Sequence, residues 1–304
     1  MRSPLRHRPA QTDFTMLYVL LIIMVLSWSA NFVVAKFTLQ EVPPFALLVL
    51  RVWLSAAILL AVYFSRGKNR RRRLQPGDWR SFALLGLLGV ALNQTGFTVG
   101  IHYTTVGHAA LMIALSPVFV LILATRMKLE SLTLLKGLGM GLSFTGVVIL
   151  AGEHGFSSNS PTLLGDMITL GGATAFAFYA VHGKRVSARY DTLTLNTFAY
   201  LAGALIVLPV GGWQLFHVNW EAVSWKGWLG VVYMAAVASV LAYIIFYYAL
   251  TKIAATRVIV FTYMQPVLAT TLGVLLLGER VTPYLLGGGA LVLTGVYLAE
   301  RGRG

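Results

Sequence analysis

Few side chains in this 304-residue sequence can do chemistry, and those few point to recognition more than to bond making. There is no cysteine, which excludes disulfides, thiolate metal sites and Cys nucleophiles. The six histidines, at positions 7, 102, 108, 154, 182 and 217, have no metal-ligand spacing, and there is no HExxH, glycine-rich phosphate loop or paired acidic motif. What remains is amides, hydroxyls and aromatic rings at helical intervals. Trp28, Asn31 and Phe32 form one set, Asn93, Gln94 and Phe97 a second, Phe176, Tyr179 and His182 a third, and Tyr243, Phe246 and Tyr247 a fourth. Such spacing puts each set on one face of a helix. Gln265 adds a further amide. A wall of rings with a few hydrogen-bonding groups suits an amphipathic solute, held by stacking and a handful of directed contacts. For any one ring, plain packing is the rival reading. The candidate substrate-binding residues are therefore Trp28, Asn31, Phe32, Asn93, Gln94, Phe97, Tyr179, His182, Tyr243, Phe246, Tyr247 and Gln265. No catalytic residue, metal or cofactor is expected.

Three further positions stand out. Pro117 and Pro266 each remove a backbone donor in the middle of an apolar run, freeing the carbonyls of Ile113 and Thr262 four residues earlier. Matching breaks of this kind point either to a hinge beside a central site or to packing kinks satisfied by Ser and Thr. Arg51 is the one ionisable group well inside an apolar run, where a charge costs at least ~2.5 kcal/mol. It is expected to snorkel, to pair with Glu41 or Asp166, or to bind a substrate carboxylate. No Asp or Glu falls mid-run, so no carboxylate proton relay is legible. Proton coupling would have to use His108, His182, Asp166 or the substrate itself.

The elements that hold these residues follow from composition. Hydrophobic residues make up 57% of the chain and charged residues 11%, less than half the charged share of an average soluble domain. A water-soluble globule is excluded. A bilayer-spanning helix needs ~20 apolar residues, and ten such runs are marked: Phe14 to Phe37, Pro44 to Phe64, Arg80 to Ile101, Val106 to Thr125, Leu132 to Ala151, Leu163 to Gly183, Leu193 to Gly212, Gly227 to Leu250, Thr256 to Leu277 and Pro283 to Ala299. None shows barrel-type alternation. No small-residue cleavage site follows the first run, so it is read as a retained helix.

The cations support the count independently. With the N-terminus inside, Arg2, Arg6, Arg8, the six cations from Arg66 to Arg73, Arg80, Arg126, Lys128, Lys136, Lys184, Arg185, Arg189, Lys252, Arg257, Arg301 and Arg303 all fall on the inner side, as the positive-inside rule requires. Only Lys36, Lys226 and Arg280 fall outside. The net charge of +14 is thus a topology signal, and no nucleic-acid partner is expected. The cluster from Arg66 to Arg73 is read as an anchor on anionic lipid. Tyr103, Trp213, Trp220, Trp225 and Trp228 fall near outer ends, as interfacial aromatics do.

The chain also resembles itself. A shift of 149 lays Glu130 on Glu279, Thr133 on Thr282, Gly139 on Gly288, Gly146 on Gly295 and Pro117 on Pro266, and a shift of 148 lays Lys36 on Lys184 and Trp28 on Phe176. Each half is then a five-helix unit, and an odd unit enters the membrane from opposite sides in its two copies. The expected fold is an all-α integral membrane protein of ten transmembrane helices in two inverted five-helix repeats. The parts are a cytoplasmic tail at 1–13, repeats at 14–152 and 163–300, and a cytoplasmic tail at 301–304. Gly96 with Gly100, Gly137 with Gly141, Gly171 with Ala175, and Ala235 with Ser239 are small-residue pairs that let helix backbones approach.

The stretch Phe246 to Ala299, FYYALTKIAATRVIVFTYMQPVLATTLGVLLLGERVTPYLLGGGALVLTGVYLA, resembles the signature of EamA-type members of the drug/metabolite transporter superfamily: an aromatic-ALxxx run, a mid-helix proline, an LGER turn and a glycine-rich last helix. The first half is less strict, keeping Ser116-Pro117 but with KLES at Lys128 to Ser131 in place of LGER. WSANF at Trp28 to Phe32 and Gly165-Asp166 resemble the openings of the two family repeats. The resemblance, over roughly residues 17 to 300, implies a ten-helix exporter of small organic metabolites in a bacterial-type inner membrane, with both termini cytoplasmic. Alternating access is expected, with solute entering between helices 1, 3, 4, 6, 8 and 9 and the halves rocking about Pro117 and Pro266. His108 and Arg257 occupy equivalent helix starts and are candidate gates. A sugar-phosphate or nucleotide-sugar exchanger is the alternative within transport, and it calls for more cations than Arg51. A membrane-embedded enzyme is the alternative outside it. A homodimer is left open.

Overall fold

A computed structural model describes residues 14–66, 74–75, 77–127, 132–153, 160–253, 258 and 261–301. The tail 1–13, residues 67–73 of the lipid anchor, the loop at 128–131, Arg257 and residues 302–304 lie outside the described residues. All regular structure among the described residues is helical. In chain order the elements are α1 (Phe14–Thr38), α2 (Pro44–Ser65), α3 (Trp79–Tyr103), α4 (Val106–Ala114 continuing as Ser116–Arg126), α5 (Leu134–Gly152), α6 (Pro161–Ser187), α7 (Thr192–Leu215), α8 (Trp225–Lys252), α9 (Met264–Leu277) and α10 (Pro283–Arg301). Eight helices, α1 to α8, are long and apolar enough to cross a membrane, and α9 and α10 are shorter apolar helices. The apolar runs read from sequence therefore correspond to observed helices, the last two being shorter over the described residues, Met264–Leu277 and Pro283–Ala299.

Several helix ends recur at a spacing of 149 residues. Thr133 accepts a hydrogen bond from the Lys136 backbone N–H (3.3 Å) at the start of α5, and Thr282 accepts one from Leu285 (3.1 Å) at the start of α10. Both are side-chain N-caps, satisfying a donor the first turn leaves orphaned. At the other end, α3 and α8 stop at Tyr103 and Lys252, where Thr104 and Ile253 turn to extended backbone. Each of these two helices also widens midway into π-helical turns, Gly86–Leu92 in α3 and Tyr233–Leu241 in α8. Such i→i+5 insertions in an α-helix cluster at functional sites.

Close helix approaches depend on bare glycines. A Cβ on Gly96 would overlap Gly172, and one on Gly100 would overlap Thr169, so α3 and α6 touch backbone to backbone. A Cβ on Gly139 or Gly146 would strike Gly295, Ala299, Gly288 or Val292, which zips α5 against α10. This corrects part of the expectation. Gly137, Gly141 and Gly171 have nothing within 4 Å of a Cβ; Gly139, two residues from each of the first two, and Gly172, next to the third, make the contacts instead. One residue rotates a side chain by about 100° around an α-helix and two by about 200°, so a choice among glycines this close is a choice of face that spacing alone does not make. The same neighbours recur when the two halves are exchanged: α1 packs on α9 as α6 packs on α4, and α1 on α8 as α6 on α3.

Candidate functional site

A cavity of about 100 Å³ opens where seven helices meet, room for several water molecules. Its wall is built from both halves. Trp28, Asn31 and Phe32 come from α1, Arg51 from α2, Asn93, Gln94 and Phe97 from α3, Phe176 from α6, and Ala238 and Tyr243 from α8. The break in α4 contributes Ile113, Ala114 and Ser116, and the start of α9 contributes Gln265 beside Thr262. Four pairs in this wall are repeat-related: Trp28 with Phe176, Gln94 with Tyr243, Ile113 with Thr262, and Ser116 with Gln265. The proline-associated breaks thus bring Ile113 and Thr262 to the cavity. Pro117 and Pro266 themselves do not line it, and Pro266 faces a separate apolar groove with Leu111 and Leu285. The Ile113 carbonyl accepts from the Ser116 hydroxyl (2.7 Å), which is the Ser-satisfied kink anticipated as one of two readings.

A hydrogen-bond chain fixes the polar side of the wall. Tyr243 donates to Asn93 Oδ1 (3.1 Å), whose Nδ2 donates to the Gly172 carbonyl (3.1 Å). Gln94 Nε2 donates to the hydroxyls of Tyr200 and Tyr243, each at 3.3 Å. The Trp28 indole donates to the Ala238 carbonyl (3.0 Å) where α8 widens, which locks the ring edge-on to Tyr243 at 5.6 Å. The opposite side is apolar, with Phe32 edge-on to Phe97 at 5.2 Å. The Asn31 Oδ1 atom is buried without a partner.

Of the twelve predicted site residues, Trp28, Asn31, Phe32, Asn93, Gln94, Phe97, Tyr243 and Gln265 line the cavity. Tyr179, Phe246 and Tyr247 are brought together one layer behind. Phe246 packs on Trp28 and Phe176, while Tyr179 bridges Tyr243 and Tyr247. His182 sits one turn farther along α6 and does not reach the wall. Spacing did not single out Thr98 or Tyr200, and it marked Ser239 only as a small packing residue. All three act across helices, where no local period exists to find them.

Arg51 neither snorkels nor pairs with Glu41 or Asp166. It is 1% exposed and donates to Thr98 Oγ1 (3.3 Å) and Ser239 Oγ (3.0 Å), with its guanidinium 5.6 Å from the centre of the Phe97 ring. The two expected partners are engaged elsewhere: Glu41 accepts from the Ser224 N–H and hydroxyl, and Asp166 from Thr104.

Asp166 also belongs to a second buried cluster. His108 Nδ1 lies 2.9 Å from Asp166 Oδ2, and its Nε2 lies 2.9 Å from Glu153 Oε2. The cluster ties the starts of α4 and α6 to the end of α5. Among the described residues no group of three or more His, Asp and Glu is arranged to hold a metal ion.

Long apolar helices closed around a ring-lined, sparsely polar cavity define an integral membrane protein of transporter type. Comparison with known proteins specifies it further: the model of the EamA-like transporter family matches residues 15–152 and 163–300, and the chain belongs to that family. An uncharacterized transporter of Archaeoglobus fulgidus is 29% identical, the match covering 92% of this chain and 96% of that one. The uncharacterized transporter YyaM of Bacillus subtilis is 25% identical, covering 93% of each. A protein of Streptantibioticus cattleyicolor named "probable terminal-alkyne amino-acid exporter" is 26% identical, covering 92% of each. One crystal structure aligns with a TM-score of 0.63 at 22% identity, covering 95% of this chain and 98% of that one, which supports the fold.

Proposed function

We propose that this protein is a secondary transporter that exports small organic metabolites, amino acids or other amphipathic compounds, across a bacterial-type inner membrane. Ten crossings in two inverted five-helix repeats, with both termini cytoplasmic, form its frame, and alternating access is its mechanism. The observation that carries this reading is the cavity wall of repeat-related pairs, because inverted repeats place their solute site at the repeat interface, beside broken helices. Rings that stack and amides that hydrogen-bond suit the amphipathic class. The amino-acid exporter among the relatives favours amino acids within it.

Purified protein in liposomes is expected to accelerate counterflow of at least one member of a metabolite panel, and Trp28→Ala or Tyr243→Ala to weaken that flux without unfolding the protein. Failure of every solute to move would end the proposal. The topology has its own test, made simple by the absence of native cysteine. Single cysteines at Ser3→Cys and Gly304→Cys should both be labelled only from the cytoplasmic side.

A further inference from the structure

Arg51 is a buried cation with no buried anion to match it among the described residues. Among the described residues the carboxylates are committed elsewhere or lie at the surface: Glu41 on Ser224, Asp78 on Arg189 and Tyr190, Glu153 and Asp166 on His108, Asp191 on Arg66, and Glu279 on the first turn of α4. The polar groups that share its cavity, Asn31, Asn93, Gln94, Ser116, Tyr243, Thr262 and Gln265, are all neutral. A guanidinium offers five N–H donors in a planar fork. Two of these reach Thr98 and Ser239, and the Nε atom is buried with no partner. The two hydroxyls, from α3 and α8, and the Phe97 ring fix the plane of the fork without neutralising it. An uncompensated, immobilised fork in a site of low dielectric is what a carboxylate meets bidentately.

We infer that Arg51 receives the carboxylate of the solute, so that the cavity selects amino acids and organic acids over amines and over neutral compounds of the same shape. The inference rests on the cavity being the transport site. Asn31, whose Oδ1 lacks a donor, accepts from a second polar group such as an ammonium or hydroxyl. Trp28 and Tyr243 then bracket the solute's apolar part.

The test is counterflow in liposomes with solutes that share a skeleton and differ in headgroup: L-phenylalanine, 3-phenylpropionate, phenethylamine and 3-phenylpropionamide, with the corresponding leucine-derived set for an aliphatic skeleton. The parental protein is expected to carry members bearing a carboxylate at least tenfold faster than the amine or amide of the same skeleton. Arg51→Gln should erase that preference while eluting and melting as a folded protein in detergent, and Arg51→Lys should retain part of it. Amines or amides carried as fast as carboxylates would overturn the inference and leave the carrier standing, as would a folded Arg51→Gln that kept the preference. Should Arg51→Gln not fold, the parental preference and Arg51→Lys decide: no preference in the parent, or an unaltered one in Arg51→Lys, overturns the assignment. If no solute of either set moves or shifts the melting temperature, the transport reading fails together with this one.

Discussion

Arg51 and His108 are both almost wholly buried in an apolar bundle, yet they keep opposite company. His108 lies between two carboxylates, each 2.9 Å from a ring nitrogen. Each ring nitrogen thus has an acidic side chain for a partner, and Asp166 is further held by the Thr104 hydroxyl. Arg51 meets only hydroxyls and a ring. A self-satisfied cluster serves the bundle's structure, whereas a charge left open in a cavity keeps its interaction for something that arrives. The difference separates scaffold from site more sharply than burial or residue type does.

The largest expected effect tests that separation directly. His108→Leu leaves Asp166 and Glu153 facing an apolar side chain and should lower stability by about 3–5 kcal/mol, the usual result of removing one partner of a buried ionic group. Arg51→Met removes a charge that has hydroxyl partners but no counter-charge, so unfolding in detergent should show it at or above parental stability while solute discrimination is lost. Equal destabilisation by the two substitutions would erase the distinction. Next in size is a steric comparison. Gly96→Val forces α3 from Gly172 and should cost about 1–3 kcal/mol as overpacking, whereas Gly141→Val, with nothing within 4 Å, should stay within about 1 kcal/mol through helix propensity alone. Trp28→Ala should slow counterflow about tenfold, equivalent to about 1.4 kcal/mol, with Phe64→Ala on the exposed face leaving flux unchanged. The smallest effect compares the halves: Thr133→Ala and Thr282→Ala each remove an N-cap and should each cost about 1 kcal/mol. Markedly unequal losses would show that the two halves do not share their stability alike.

The helices were legible because lipid imposes a length and a composition on each one, and the repeat was legible because landmarks such as Pro117 and Pro266 recur at one spacing. The cavity was legible to the extent that helical periodicity reaches. Spacing found Trp28, Asn31 and Phe32 on the face that lines the wall, but it also selected Tyr179 and Phe246, since a ring satisfied by other rings has the same spacing as one facing a cavity. The partners of Arg51 and the Glu153 contact of His108 were not legible. They join residues 45 to 188 positions apart, and no local pattern encodes such a meeting.

The glycine seam between α3 and α6 has a mechanical consequence. It sets the backbone of a helix of the first repeat directly against that of a helix of the second, and the α5–α10 zipper does the same at another place in the bundle. In the proposed transport cycle, one repeat swinging rigidly against the other would have to open both seams. Pieces composed of helices from both repeats would move with the seams intact, which puts the joint within each repeat and not along the boundary between the two.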